Sequence, residues 1–203
     1  IKGCMPKILT PEEILCFRNR MCDQALVSFG KHGVEGISLR TLAADLCCSR
    51  TTPYRYFKNK ADILAALRQR EFGRIADILA AALEQQPDTS KQLEVLLRAY
   101  LQFAIQYPDS YRVMYNEAQP DSAKYSELEA EIFRSAEPMR QVVNCSVENG
   151  TMIGDPVNIF YVLWAGLHGL ISLDLAHLLG DKRSFENLAT AMIHSLISAV
   201  SNE

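Results

Sequence analysis

Arg50, Thr51, Thr52, Tyr54, Arg55, Tyr56, Lys58 and Lys60 crowd into one short stretch of the chain. Guanidinium, ammonium, hydroxyl and phenol groups are the donors that grip phosphate oxygens and read base edges. Phe57 is the apolar anchor of the stretch. The chemistry on offer is recognition of a polyanion with exposed hydrogen-bonding edges, that is, of DNA. A solvated basic face on an ordinary helical bundle is the competing reading of any such run.

The element that must position these groups is legible just upstream. Leu39, Leu42, Ala43 and Leu46 fall at i, i+3, i+4 and i+7, one apolar helical face, with Ser38 placed to cap it. A tight break follows at Cys47-Cys48, and the polar, basic segment comes next. Two short helices joined by a tight turn, the second polar, describe a helix-turn-helix DNA reader. Ser38, Arg40 and Thr41 from the first helix complete the candidate DNA surface. Arg50, Thr51, Thr52 and Arg55, with Thr41 reaching in, are candidates for base edges. Pro53 leaves the start of the second helix open. With Ser49 as N-cap, Pro53 is the fourth helical residue and removes the first intrahelical bond. With Thr52 as cap it sits at the first helical position, where proline is welcome. The second option, a late or frayed start, is preferred.

Charge divides the 203 residues unevenly. The first 75 carry 13 Lys and Arg against 7 Asp and Glu; the remainder carries 8 against 17. A basic third would face an anionic partner, and an acidic remainder would stay off it. No stretch resembles a signal peptide, a repeat or a low-complexity tract, so a cytoplasmic protein is expected. The apolar run from Val157 to Leu173 is short for a membrane span and contains Asn158, His168 and Ser172; a buried core or interface helix is the simpler reading. The cysteines Cys4, Cys16, Cys22, Cys47, Cys48 and Cys145 show no C-x-x-C and no zinc-like spacing with the histidines. They read as reduced thiols, and no metal or cofactor is expected. Oxidation at Cys47-Cys48 would disturb the turn, although two small packing residues are the plainer reading.

Nearly every segment reads as helix, so the expected fold class is all-α. Thr10-Pro11-Glu12-Glu13 is a capping box with proline at the first helical position. It opens a helix with Ile14, Phe17, Met21, Ala25 and Phe29 on one face, ending near Gly30 and Gly33. A long helix from Ala61 to Glu84 crosses the charge boundary without a linker. Thr89 with Gln92 would cap the next, which stops at Tyr107-Pro108. A short helix follows over Asp109 to Glu117, then a polar loop over 118–125. Ser126 with Glu129 would cap a helix interrupted or kinked at Pro138 and ended by Asn149-Gly150. Asp155-Pro156 starts the apolar helix, expected to stop at Gly180, and Ser184 starts the last. The expected division is a three-helix DNA-binding domain over residues 8–62 and a helical bundle over 63–203.

The region from Phe29 to Leu64 resembles the DNA-binding region of the TetR (tetracycline repressor) family of bacterial regulators. The matching positions are Ala25, Phe29, Gly33, Ser38, Leu42, Ala43, Ser49, Tyr54, Tyr56, Phe57, Lys60 and Leu64. A second, shorter likeness is W-A-G-L-H-G at Trp164 to Gly169, similar to a W-x-x-x-H-G signature in C-terminal domains of one TetR subgroup. The chain departs from the family pattern at Cys47 and Thr51, where glycine is usual, and at Pro53, where an aliphatic residue is usual. A turn residue at Cys47 with φ > 0 would cost about 1 kcal/mol or more.

The resemblance implies a transcriptional regulator, most simply a repressor, that binds double-stranded operator DNA. Tyr54, Tyr56 and Lys60 would grip its backbone. It implies a homodimer through residues 157–179 and 185–200, so that two copies read half-sites about 34–36 Å apart. It also implies a pocket for an unidentified small-molecule effector. Tyr100, Phe103, Tyr107, Tyr111, Met114, Phe133, Tyr161, Trp164 and His168 are the candidate wall, with Met139 in the same constellation, suited to a small and mostly apolar ligand. An ordinary aromatic core is the plainer account of such residues, and a hydrogen-bonded structural histidine that of His168. No G-x-S-x-G, H-E-x-x-H or phosphate-binding glycine loop is present, so an enzyme is not expected. A helical protein-interaction module, or a small helical enzyme without a recognisable site, is the alternative.

Overall fold

A computed structural model describes residues 10–115, 124–180 and 184–202. Residues 8 and 9 at the start of the expected first domain lie outside them. So do Glu117 and residues 118–123 of the expected loop. Eight α-helices make up the described chain: α1 (Pro11–His32), α2 (Leu39–Asp45), α3 (Lys60–Glu84), α4 (Thr89–Gln106), α5 (Pro108–Tyr115), α6 (Ser126–Glu148), α7 (Pro156–Leu175) and α8 (Phe185–Val200). No strand occurs among the described residues. A single antiparallel bridge, Met152 to Ser201, ties the end of α8 to the α6–α7 turn.

Local chemistry accounts for the helix ends. Thr10 and Glu13 exchange the expected capping-box bonds, at 3.2 and 2.9 Å. Ser38 caps α2, its Oγ accepting from Thr41 N at 3.0 Å. Asn59 caps α3 by accepting from Asp62 N at 3.0 Å. Asp88, not Thr89, caps α4. Its carboxylate accepts from the Ser90 amide at 3.1 Å and the Ser90 hydroxyl at 2.6 Å, while Gln92 turns away to the Gln86 carbonyl. Tyr125 rather than Ser126 precedes α6, without a side-chain cap. Its hydroxyl instead donates to Asp62 at 3.0 Å, which fixes where the chain enters the helix.

Two further expectations need correction. The α6 helix runs unbroken through Pro138. Pro138 and Met139 are buried where α6 lies along α3, and this packing offsets the missing amide. The α7 helix ends at Leu175, not at Gly180. His177 adopts φ 57° there, and the His177 and Leu178 amides bond back to Asp174 and Leu173 at 2.8 and 2.9 Å. That is a Schellman stop with a non-glycine residue in the left-handed position. The α2 helix ends identically. Cys47 has φ 51°, and the Cys47 and Cys48 amides reach Ala44 and Ala43 at 3.0 Å each.

Two cores result. Met21, Ala25, Phe29, Ile37, Leu42, Phe57, Ile63 and Leu67 form the smaller one, between α1, α2 and the start of α3. Ile14, placed on the same face by periodicity, is partly exposed. The larger core draws on α3 to α8. The α3 helix belongs to both, as expected for a helix without a linker. The α5 helix does too: Val113 is buried in the smaller core, and Tyr111 and Met114 in the larger.

The left-handed Cys47 generates the first prediction. Glycine at this position removes the Cβ strain while leaving both capping bonds intact. Cys47→Gly should raise the unfolding free energy by about 0.5–1 kcal/mol, and Cys47→Val should lower it. Urea denaturation followed by circular dichroism reads both. Equal midpoints for all three proteins would show that the turn carries no strain.

Candidate nucleic-acid interface and aromatic cavity

The basic segment is a single irregular helical turn rather than a full helix. Only Pro53–Arg55 is regular, as a 3-10 turn. Proline explains it. Having no N–H, Pro53 cannot bond the Ser49 carbonyl, which accepts from Thr52 N at 3.0 Å instead. Regular turn structure therefore begins at Thr52-Pro53. The Phe57 amide then bonds the Pro53 carbonyl at 3.0 Å, closing one α-type turn. The Ser49 hydroxyl is within hydrogen-bond reach of Thr51 and Thr52, at 3.1 and 2.8 Å, so these hydroxyls also hold one another.

The candidate DNA-binding side chains share one region of the smaller domain. Arg40, Thr41, Arg50, Thr51, Tyr54 and Arg55 are exposed, with Tyr54 at 61%. Ser38 and Thr41 are engaged with each other in a capping box, which limits what either hydroxyl offers outward. Lys60 pairs with Glu35 at 3.3 Å. Glu35 is almost fully exposed, so the pair is weak and the ammonium is readily exchanged to another anion.

Three residues outside the expected set hold this turn in place. The Arg18 guanidinium donates to the Tyr56 carbonyl at 2.7 Å and lies 4.3 Å above the Phe57 ring. The Phe17 ring stacks at 4.6 Å from Tyr56. The Asp62 carboxylate accepts from the Lys58 amide at 2.9 Å and from Tyr125 at 3.0 Å. Tyr56 thus packs inward as much as it faces solvent. Sequence offered little signal for Arg18, since its partner is a backbone carbonyl 38 residues away.

A second feature lies in the larger domain. A cavity of about 260 Å³ opens between α3, α6 and α7. Of the nine residues expected to face a ligand, Tyr100, Phe133, Tyr161 and Trp164 line it. Phe103 and Tyr107 pack on each other, with Arg74 over Tyr107. Met114 is buried in the core, and Tyr111 and His168 lie beyond the wall. Met139, of the same constellation, lines it too, and the wall also includes Phe72, Ile75, Leu79, Tyr115, Ile132, Arg140 and Phe160. Aromatic type alone did not single out the aliphatic ones; their shared faces on α3 and α6 are the signal that was available.

Behind the wall runs a polar chain. The Trp164 indole donates to the Tyr100 hydroxyl at 2.9 Å. Tyr100 and Tyr111 hydroxyls meet at 3.0 Å, and Tyr111 meets His168 Nδ1 at 2.6 Å. His168 Nε2 faces Ser172 Oγ at 3.4 Å. The indole can only donate, so Tyr100 accepts from it; with a neutral His168 accepting at Nδ1, one assignment runs from Tyr100 to Tyr111 and from Tyr111 to His168. Burial raises the Tyr100, Tyr111 and Tyr115 phenols well above their ordinary value, so each remains a donor. Burial also lowers His168, which favours the neutral acceptor. Trp164 and His168 stand one helical turn apart, and both feed this chain.

Comparison with known proteins places the fold. Residues 93–196, just over half of the chain, match the family model of the tetracyclin repressor-like C-terminal domain. Residues 22–67 match that of bacterial regulatory proteins of the tetR family. The chain belongs to the TetR family. An uncharacterized HTH-type transcriptional regulator of Mycobacterium tuberculosis is 30% identical over 120 residues, covering 58% of this chain and 50% of the relative. The chain thus spans about half the length of the curated relatives it matches. A solved protein with unknown function from Rhodococcus sp. RHA1 superposes with TM-score 0.79 at 26% identity, covering 91% of this chain and 95% of that one. The fatty acid degradation regulator FadR from Bacillus halodurans superposes with TM-score 0.74 at 16% identity, covering 94% and 97%, a likeness of fold alone.

In this TetR-family chain the burial of His168 sets a pH dependence. A folded-state value depressed below the ordinary imidazole value of about 6.5 means that the unfolded chain binds the proton more readily. The stability tied to neutral His168 is fully present above that pH and is lost as pH falls through the depressed value. Thermal midpoints should therefore fall from about pH 7.5 to about pH 5.5 more steeply in the wild type than in His168→Asn, whose amide oxygen still accepts from Tyr111. Parallel curves would show that His168 does not titrate in this window.

Proposed function

We propose that the chain is a sequence-specific DNA-binding regulator, most simply a repressor, that works as a homodimer in the bacterial cytoplasm and is released by a small, mostly apolar effector. The carrying observation is the turn at Ser49–Phe57. It presents Arg50, Thr51, Tyr54 and Arg55 to solvent, while Arg18, Phe17 and Asp62 hold it to the domain. Residues 8–62 are the DNA-binding unit in this reading, and 63–203 the effector and dimerisation unit. Catalysis has no part in it.

Dimerisation is supported by the outer face of α7. Val157, Tyr161, Val162 and Leu173 are exposed there, with Ala165 and Gly169 between them. Small residues in such a stripe allow close helix approach. Leu170 and Ile193, central in the two apolar runs, are buried within the protomer and are no test of an interface.

Release is supported by the path from cavity to head. Tyr115 lines the cavity at the end of α5, and Val113 two residues earlier sits in the head core. Arg68 on α3 donates to the Val113 carbonyl at 2.8 Å. On α1, a Cβ at Gly30 would meet the Asp109 carboxylate at 2.3 Å, so α5 and α1 are in close approach. A ligand that displaces Tyr115 shifts α5 and α3 together, and with them the spacing of the two heads. A tenfold loss of operator affinity needs only about 1.4 kcal/mol of such coupling.

Three outcomes are expected. Lys60→Ala should weaken binding to all DNA sequences alike and lower the salt slope by roughly one ion. Arg50→Ala or Arg55→Ala should relax preference at one base pair, at a cost of about 1–3 kcal/mol. Gel shifts on genomic fragments at several salt concentrations separate them; a uniform loss in all three variants would leave no base reader among these residues. Val162→Asp should give monomers by light scattering and abolish tight operator binding. A wild type that is already monomeric at micromolar concentration contradicts the dimer.

A further inference from the structure

The cavity walls are apolar over Phe72, Ile75, Leu79, Ile132 and Met139, yet a cation stands at the edge. Exposure orders the site. Ile75, Leu79 and Tyr100 are buried at its base, whereas Phe133 and Tyr161 are half-exposed at its mouth. Arg140 belongs to the mouth. Its guanidinium lies 6.0 Å from the Phe133 ring centre and 5.1 Å from that of Phe160.

Several other polar groups of the wall already have partners. Trp164 and Tyr100 bond each other, and the Ser135 hydroxyl donates to the Ile132 carbonyl at 2.7 Å. Other arginines on α4, α5 and α6 are paired: Arg98 with Glu94, Arg112 with Asp109, Arg134 with Asp77 and Glu131. Among the described residues no carboxylate pairs with Arg140. It holds a planar array of donors over two ring faces, beside an apolar hollow, in the acidic part of the chain.

Resting on the reading of this cavity as the effector site, we propose that the effector is an amphipathic carboxylic acid. Its carboxylate is read by Arg140 at the mouth, and its apolar body lies against α3 and α6. A guanidinium matches a carboxylate with two parallel bonds, and the flanking rings exclude water from them. The volume is at the small end for ligand cavities, which suits a medium-chain or aryl-substituted acid rather than a long lipid. The surplus of acidic residues in this domain disfavours a bare anion, so the apolar body is required for binding.

Trp164, the single tryptophan, lines the cavity and reports its occupancy. Titrating the full chain with octanoate and with octanamide, nearly equal in shape, should quench or shift its emission. Octanoate should bind about tenfold or more tightly. Arg140→Gln should abolish that preference and Arg140→Lys should retain part of it, with melting temperatures unchanged. Equal affinity for acid and amide in the wild type overturns the carboxylate reading, as does a preference that survives Arg140→Gln. Silence of Trp164 towards every acid from hexanoate to dodecanoate overturns it as well. If octanoate binds through Arg140 but leaves operator affinity unchanged, the ligand class stands and release by this cavity fails.

Discussion

One helix must satisfy two cores at once, and the rest of the molecule is arranged around that demand. The α3 helix buries Ile63 and Leu67 in the head and Phe72, Ile75 and Leu79 in the larger domain. Between these sets lie Arg68 and Glu71, among the most buried side chains in the chain. Ions taken from water cost several kcal/mol unless they are well bonded. Arg68 meets the Val113 carbonyl, and Glu71 meets Arg70 and Arg74 at 2.9 and 3.3 Å. A slip of α3 against α5 would strand Arg68, and one against α1 would part Arg70 from Asp23. Apolar contacts tolerate small sliding far better than directional bonds do. These crossing bonds help to fix α3 against α5 and α1.

The polar chain behind the cavity has a comparable role within the bundle. Tyr100 comes from α4, Tyr111 from α5, and Trp164, His168 and Ser172 from α7. Three helices are thereby held in one register by a continuous run of hydrogen bonds. Gly166 serves the opposite side of α7, where a Cβ would come within 2.9 Å of Leu196 on α8. The segment W-A-G-L-H-G thus reads as two faces: hydrogen-bonding side chains inward, and a small residue where α8 packs. The helix remains apolar and long enough to span a membrane by length and composition, but its inward face is buried in the core.

The sequence revealed most where a rule is local. The all-α class, the Thr10 and Ser38 caps, the continuous α3 and the stop after His32 follow from spacing within a few residues. Family likeness added the positive φ expected at Cys47. Less visible was anything set by a distant partner. Thr89 carries a good capping signature, yet Asp88 provides the stronger acceptor one residue earlier. Pro138 is a helix breaker in isolation, and packing on α3 overrides it. The candidate DNA face was visible as a set of residue types, whereas the Arg18 clamp was not. The aromatic list likewise mixed cavity wall with core, because residue type does not distinguish a ring facing a hollow from one facing another ring.

The turn at Ser49–Phe57 shows how a short, irregular element can be held firmly enough for the reading proposed for it. An isolated turn with so few internal hydrogen bonds has little stability of its own. Its ends, however, are fixed by independent contacts: Ser49 and Thr52 by their mutual bonds, Tyr56 and Phe57 by Arg18 and Phe17, Lys58 by Asp62. Fixing the ends lowers the entropy that binding must remove, and leaves the exposed side chains free to adjust. Asp62 adds a second consequence. It accepts both the Lys58 amide and the Tyr125 hydroxyl, which stands at the start of α6, a wall of the cavity. The same carboxylate that steadies the reader is thus bonded to the domain that would sense the effector. In the proposed mechanism a displacement of α6 would also change the footing of that turn.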